Sequence, residues 1–199
     1  MFTIIRNTLR KSRGALIGWG IGLAALAIMM GSMFDMMVAS NEMIDVVNAY
    51  TVAMPELAAM FKMDEMGTPI GWLDVEYFSF VPLIIGLFAT GVGANMLARD
   101  EEDGTLDLIL AHPVSRTALF WGRFLANTLV MIILLLISWA SLLLPMTWSE
   151  NFSIPAFDLL LPFVSMFGIM LFFMTLSLLF GMLLPARSMA RMLSGMLVG

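Results

Sequence analysis

The chain has 199 residues, 60% hydrophobic and only 13% charged, with a net charge of −5 and a mean hydropathy of +0.94. A soluble domain of this length is close to half apolar and a quarter charged, so composition excludes an ordinary soluble domain and predicts a single membrane domain. The absence of cysteine excludes a disulfide framework and thiolate chemistry, and a lone histidine, His112, argues against a histidine-based metal centre.

The first predicted element covers residues 1–13. Phe2, Ile5 and Leu9 fall on one helical face and Arg6, Arg10 and Arg13 on another. That pattern fits a short helix lying in the membrane interface; a frayed basic tail is the alternative. The apolar run that follows, 15–34, exceeds the roughly 7–15 residues of a secretory signal core, and no small-residue cleavage site follows it. It is therefore a span, because a bilayer core of about 30 Å needs roughly 20 apolar residues. Gly14, Gly18 and Gly22 recur every four residues there, a spacing that lets helices approach closely, between subunits or within one. Met29, Met30, Met33, Met36 and Met37 cluster toward its end. Thioethers so spaced allow Cu(I) binding or an adaptable path for greasy cargo, but ordinary packing is the preferred reading and no metal is expected.

The connection 35–77 is acidic, with Asp35, Glu42, Asp45, Glu56, Asp64, Glu65, Asp74 and Glu76. Within it Val52, Leu57, Ala58, Met60 and Phe61 predict one amphipathic helix with Pro55 in its first turn. Gly67, Pro69 and Gly71 are then expected to break the chain. The second span is predicted at 78–98, the third at 124–145 and the fourth at 159–184, with Trp148 in the short connection 146–158. None carries an internal charge, and each must be helical because lipid offers backbone amides no partner. A last apolar run begins at Met192 and stops at Gly199. Eight residues cannot cross, so the expectation is a chain cut inside a fifth helix.

Every basic residue except Lys62 falls in 1–13, in 99–123 or after the fourth span. The positive-inside rule then assigns these segments, with the N-terminus, to the cytoplasm of a multi-pass plasma-membrane protein. Trp72 and Tyr77 are expected at the outer boundary, where amphipathic rings settle. Asp35 and Asp158 stand at the outer ends of spans and are read as solvated rather than as ion-coupling acids.

The cytoplasmic loop 99–116 is the most informative stretch. Four acids precede Gly104-Thr105, and Thr105 is placed to cap a new helix, whose positive end the acids stabilise. Leu106, Ile109 and Leu110 recur at i, i+3 and i+4, and Pro113 ends the run. Such a helix can lie on lipid or dock in a groove of a partner; the flanking acids favour a protein partner. His112, beside Pro113, is a contact or solvated residue, since no nucleophile accompanies it.

The stretch from Glu102 through Gly104, Thr105, Leu106, Leu110, Pro113 and Arg116, followed by Leu119 and Gly122-Arg123, resembles the membrane permease family of type 2 ABC exporters. In that family an acidic residue, Gly-Thr, a leucine-rich helix and Pro-Val-Ser-Arg form a coupling helix. The likeness is close over about 25 residues, and the order of spans agrees along the rest. It implies six spans, two permease subunits paired as a homo- or heterodimer, and separate ATP-binding cassette ATPase subunits. ATP and Mg would sit on the partner, with no cofactor bound directly by this chain. It further implies that Glu101, Glu102, Gly104, Thr105, Leu106, Ile109, Leu110, Pro113 and Arg116 form the ATPase contact.

The residues agree independently on one point. The chain has no G-x-x-x-x-G-K-[ST] phosphate loop, so ATP hydrolysis must come from another polypeptide, and Leu193-Ser-Gly-Met196 is only an echo of a nucleotide signature. The fold class expected is thus an all-α polytopic bundle of four complete spans plus the start of a fifth. The function expected is an exporter permease without catalytic residues. A non-transporting scaffold that docks a soluble partner through 104–116 is the alternative. An intramembrane enzyme is disfavoured, because the spans offer only scattered polar residues such as Asn95 and Asn127.

Overall fold

A computed structural model describes residues 1–60, 65–102, 115–183 and 195–196, with the backbone alone at 41–44 and 97–102. The described residues form helices and no strand. In chain order these are α1 (Phe2–Lys11), α2 (Arg13–Ala39), α3 (Asn41–Ala53), α4 (Pro55–Met60), α5 (Pro69–Glu76), α6 (Val81–Glu102), α7 (Arg116–Leu143), a 3-10 turn (Pro145–Thr147) and α8 (Ala156–Leu183). Helix throughout is what an apolar chain must adopt where no water satisfies its amides.

Among the described residues three stretches are long and apolar enough to cross a membrane: Arg13–Ala39, Arg116–Thr147 and Ala156–Leu183. The pair Pro69–Glu76 and Val81–Met96, bent by 47° at a short break, makes a fourth if it serves as one broken span. The second span was expected at 78–98, and α6, from Val81, takes up most of that stretch, with α5 ahead of it across the break. The amides of Tyr77 and Phe78 both donate to the Leu73 carbonyl, which closes α5. Ser79 Oγ then donates to the Asp74 carbonyl at 2.8 Å, and Pro82, lacking an N–H, is fit only for the first turn of the next helix.

The chain divides into two compact units. One comprises Met1–Gly18, Pro82–Leu134 and Ser165–Gly199; the other comprises Trp19–Val81 and Leu135–Val164.

In the first unit α6 and α8 approach closely over small residues. A Cβ on Gly93 would stand 2.2 Å from the Met174 carbonyl oxygen, and one on Gly181 3.2 Å from that of Ala94. Ser177 Oγ donates across the same contact to the Thr90 carbonyl at 2.6 Å. Close backbone approach and hydroxyl-to-carbonyl bonds are the means of helix association where burial in lipid supplies no hydrophobic drive.

In the second unit the C-terminal part of α2 carries the packing. A Cβ on Gly31 would meet Pro145 at 2.7 Å and Phe152 at 3.2 Å. Phe34 and Met37 continue that face and are buried, Phe34 against Trp72 and Phe152 at ring-centroid distances of 6.3 and 5.8 Å. Asp35 accepts the backbone and side-chain amides of Asn151, each at 3.1 Å.

Trp72 and Tyr77, expected near the outer boundary, are buried within this unit. Each polar tip has an internal partner: Trp72 Nε1 donates to the Met30 carbonyl at 2.9 Å, and the Tyr77 hydroxyl hydrogen-bonds Ser138. A ring whose one polar atom is satisfied inside loses its reason to reach the interface.

The connection 35–77 is also reorganised. The helix α2 continues past Phe34 to Ala39, and α3 and α4 replace the single amphipathic helix. Pro55 does open α4, but Val52 belongs to α3, and Val52, Leu57 and Met60 are exposed while Ala58 is buried; Phe61 lies outside the described residues. Gly67 lies in a turn, as expected of a break, but Pro69 and Gly71 fall past it. They stand in the first turn of α5, where Thr68 Oγ1 accepts the Gly71 amide at 3.1 Å, an N-cap that also explains a proline at the first helical position.

Candidate functional site

The segment singled out in the sequence joins the end of α6 to the start of α7. Glu101 and Glu102 are the last backbone positions of α6. Gly104, Thr105, Leu106, Ile109, Leu110 and Pro113, with His112, fall outside the described residues, so the site is described from its frame.

On the far side of that segment, α7 opens at Arg116, two turns before the apolar stretch expected from Phe124. The cause is local. Ser115 Oγ accepts the amide of Ala118 at 3.1 Å, the geometry of a helix N-cap. The helix thus starts where its cap is, while the stretch that lipid can hold starts later. Arg116, exposed in the first turn, sits at the positive end of the helix dipole, where a cation is unfavourable. Its position answers to topology or to a partner rather than to helix stability. Trp121 is exposed and meets Phe120 and Phe124 edge-on at 5.4 and 5.7 Å, an aromatic group at the level where a span enters its interface.

Two contacts hold the frame. Arg123 Nη1 donates to the Met96 carbonyl at 2.8 Å, tying α7 to α6. Gly122 lies against Ile4 of α1, for a Cβ there would come within 2.9 Å of Cγ2. The Gly-Arg pair that follows the motif therefore makes one contact to each neighbouring helix. The second contact puts α1 at the end where α7 begins. On α1 itself the expected faces are redrawn: Ile5 and Leu9 are half-buried, but Phe2 is exposed with the arginines.

Sequence reasoning missed Ser115 as a cap and Gly122 as a contact. Serine before a basic helical start is a readable cap signal. Nothing in sequence pairs Gly122 with a residue 118 positions away.

The predicted packing glycines behave differently. Gly14, Gly18 and Gly22 are exposed, and among the described residues no atom lies within 4 Å of where their Cβ atoms would stand. Among the described residues they serve no helix packing. The methionines divide: Met37 is buried, Met30 half-buried, and Met29, Met33 and Met36 exposed.

Chemistry is correspondingly sparse. Among the described residues no three His, Cys, Asp or Glu side chains gather as metal ligands. Asn95 spends its Nδ2 on the Gly91 carbonyl of its own helix, at 2.6 Å. Its Oδ1 and Thr128 Oγ1 are buried without a hydrogen-bond partner among the described residues.

No curated protein and no solved structure matches the chain. A family model does, the ABC-2 family transporter protein, over residues 2–198. That match takes in α1, every candidate span and the motif between α6 and α7, and the chain belongs to the ABC-2 transporter family.

Proposed function

We propose that this membrane permease component of an ABC transporter exports its cargo, driven by ATP hydrolysis on a separate cassette ATPase that docks on the 99–116 segment. The supporting observation is the frame around that segment: Arg123 holds the start of α7 on α6 at Met96. A push delivered between the two helices then reaches both as one rigid movement rather than bending a loose loop. Leu106, Ile109 and Leu110 would fill the ATPase groove, with Glu101 and Glu102 against basic groups at its rim, and Arg116 at the far edge. A buried leucine at the centre of such a contact contributes about 2 kcal/mol or more.

Two permease subunits would face each other across α2. The open glycine stripe supports this, because Gly14, Gly18 and Gly22 leave room for a neighbouring backbone that none of the described residues occupies. The membrane is read as the plasma membrane, with the N-terminus cytoplasmic.

The test is co-purification in detergent of the full chain with its candidate ATPase, comparing the parent with Leu106→Asp plus Leu110→Asp. Loss of the ATPase in the double variant, with the permease still folded, is the expected result. Equal retention would remove the docking assignment and favour a scaffold that binds its partner elsewhere.

A further inference from the structure

The helix α1 has two unlike faces. Ile4, Ile5, Thr8 and Leu9 are half-buried, with Ile4 seated on Gly122 of α7. Phe2, Arg6 and Arg10, four residues apart, are exposed, as are Asn7 and Lys11 beside them. Phe2 is 80% exposed. The first acid in the chain is Asp35, so no carboxylate on α1 neutralises these cations. Ser12 alone separates α1 from α2, a helix long and apolar enough to cross the membrane. The end of α1 is therefore held at the level where α2 leaves lipid.

A cationic face flanked by an exposed aromatic ring, at that depth, matches an anionic lipid surface. Guanidinium groups bind phosphate oxygens in pairs, while an apolar ring enters the acyl boundary. We propose that α1 binds the phosphate headgroups of anionic lipid through Arg6, Arg10 and Lys11, with Phe2 as its apolar anchor. Lipid charge then sets how firmly α1 is held, and the Ile4–Gly122 contact passes that state to the start of α7. The inference rests on the membrane reading alone and survives if the ATPase docks elsewhere.

The chain lacks cysteine, so Asn7→Cys provides a single labelling position on the exposed face. The labelled full chain is placed in nanodiscs of phosphatidylcholine, and in nanodiscs of phosphatidylcholine with phosphatidylglycerol. Quenching of an environment-sensitive fluorophore by neutral acrylamide is then compared. Protection is expected in the anionic discs and should fade as salt rises. Each cation near a charged surface shifts occupancy about fivefold. Replacing Arg6, Arg10 and Lys11 together by Gln should thus weaken it on the order of a hundredfold, and Phe2→Ser should lower protection in both lipids. Equal quenching of the labelled parent in the two lipids overturns the proposal, whatever the variants do. Protection that appears only when the ATPase is added also overturns it, and makes the face a protein-docking surface.

Discussion

The Arg123 guanidinium donates to the main-chain carbonyl of Met96 at 2.8 Å. A charged donor on a backbone acceptor joins the end of one candidate span to the beginning of the next, on either side of the segment that carries the family motif. Hydrogen bonds to charged groups contribute about 1.5–3 kcal/mol. Arg123→Met is expected to lower thermal stability in detergent by about that amount and to weaken ATPase co-purification together with it. If stability falls while co-purification holds, the bond is structural only and transmits nothing to the partner.

Gly93 and Gly22 should respond oppositely to the same substitution. A side chain at Gly93 collides with the Met174 carbonyl, backbone that cannot swing away. Gly93→Val should therefore cost about 1–3 kcal/mol or more, as overpacking does. Gly22→Val, with open space around it among the described residues, should leave the isolated subunit as stable as the parent. Thermal unfolding followed by size-exclusion fluorescence separates the two.

The buried Tyr77–Ser138 pair makes a double-mutant cycle informative. Both residues are almost wholly buried, and their hydroxyls bond each other. Tyr77→Phe or Ser138→Ala alone strands a buried hydroxyl and should cost about 1–3 kcal/mol, whereas removing both is expected to be nearly neutral. Additive losses would mean that the two hydroxyls do not depend on each other.

If α2 faces a second subunit, its glycine stripe can be trapped covalently. Gly18→Cys in the otherwise cysteine-free chain should give a disulfide-linked dimer in membranes under mild oxidant, because a disulfide needs Cα atoms about 4.4–6.8 Å apart. Cysteine at Phe172, exposed on α8, serves as the comparison and should link poorly. Equal linking at both positions would mark random collision rather than a defined face.

Much of this organisation could be read without coordinates because lipid constrains sequence severely. The run 15–34 sits inside α2, and α7 and α8 take up all but the last residues of 124–145 and 159–184, residue 184 lying outside the described residues, since a charge-free stretch of that length has one stable conformation in a bilayer. The family could be read too, because the Gly-Thr, Pro-Val-Ser-Arg and Gly-Arg elements keep a fixed spacing between two spans. What failed was local and polar. The hydropathy of Trp72 and Tyr77 fits a boundary as well as a core, and only the partners Met30 and Ser138 decide between them. The break at Tyr77–Phe80 was hidden because Phe78 and Phe80 read as the start of the span that follows.

Composition and charge-free apolar runs thus determined by themselves that this chain is helical and built for a membrane, properties that follow from solvent and from short-range order; the motif resembled a transporter family, and the family match over residues 2–198 showed the membership. Only the tertiary structure decided that Gly93 and Gly31 pack while Gly14, Gly18 and Gly22 stay open, and that Gly122-Arg123 grips Ile4 and Met96. A glycine reads the same in sequence whether or not a neighbour fills its space, and the neighbours here lie up to 121 positions away.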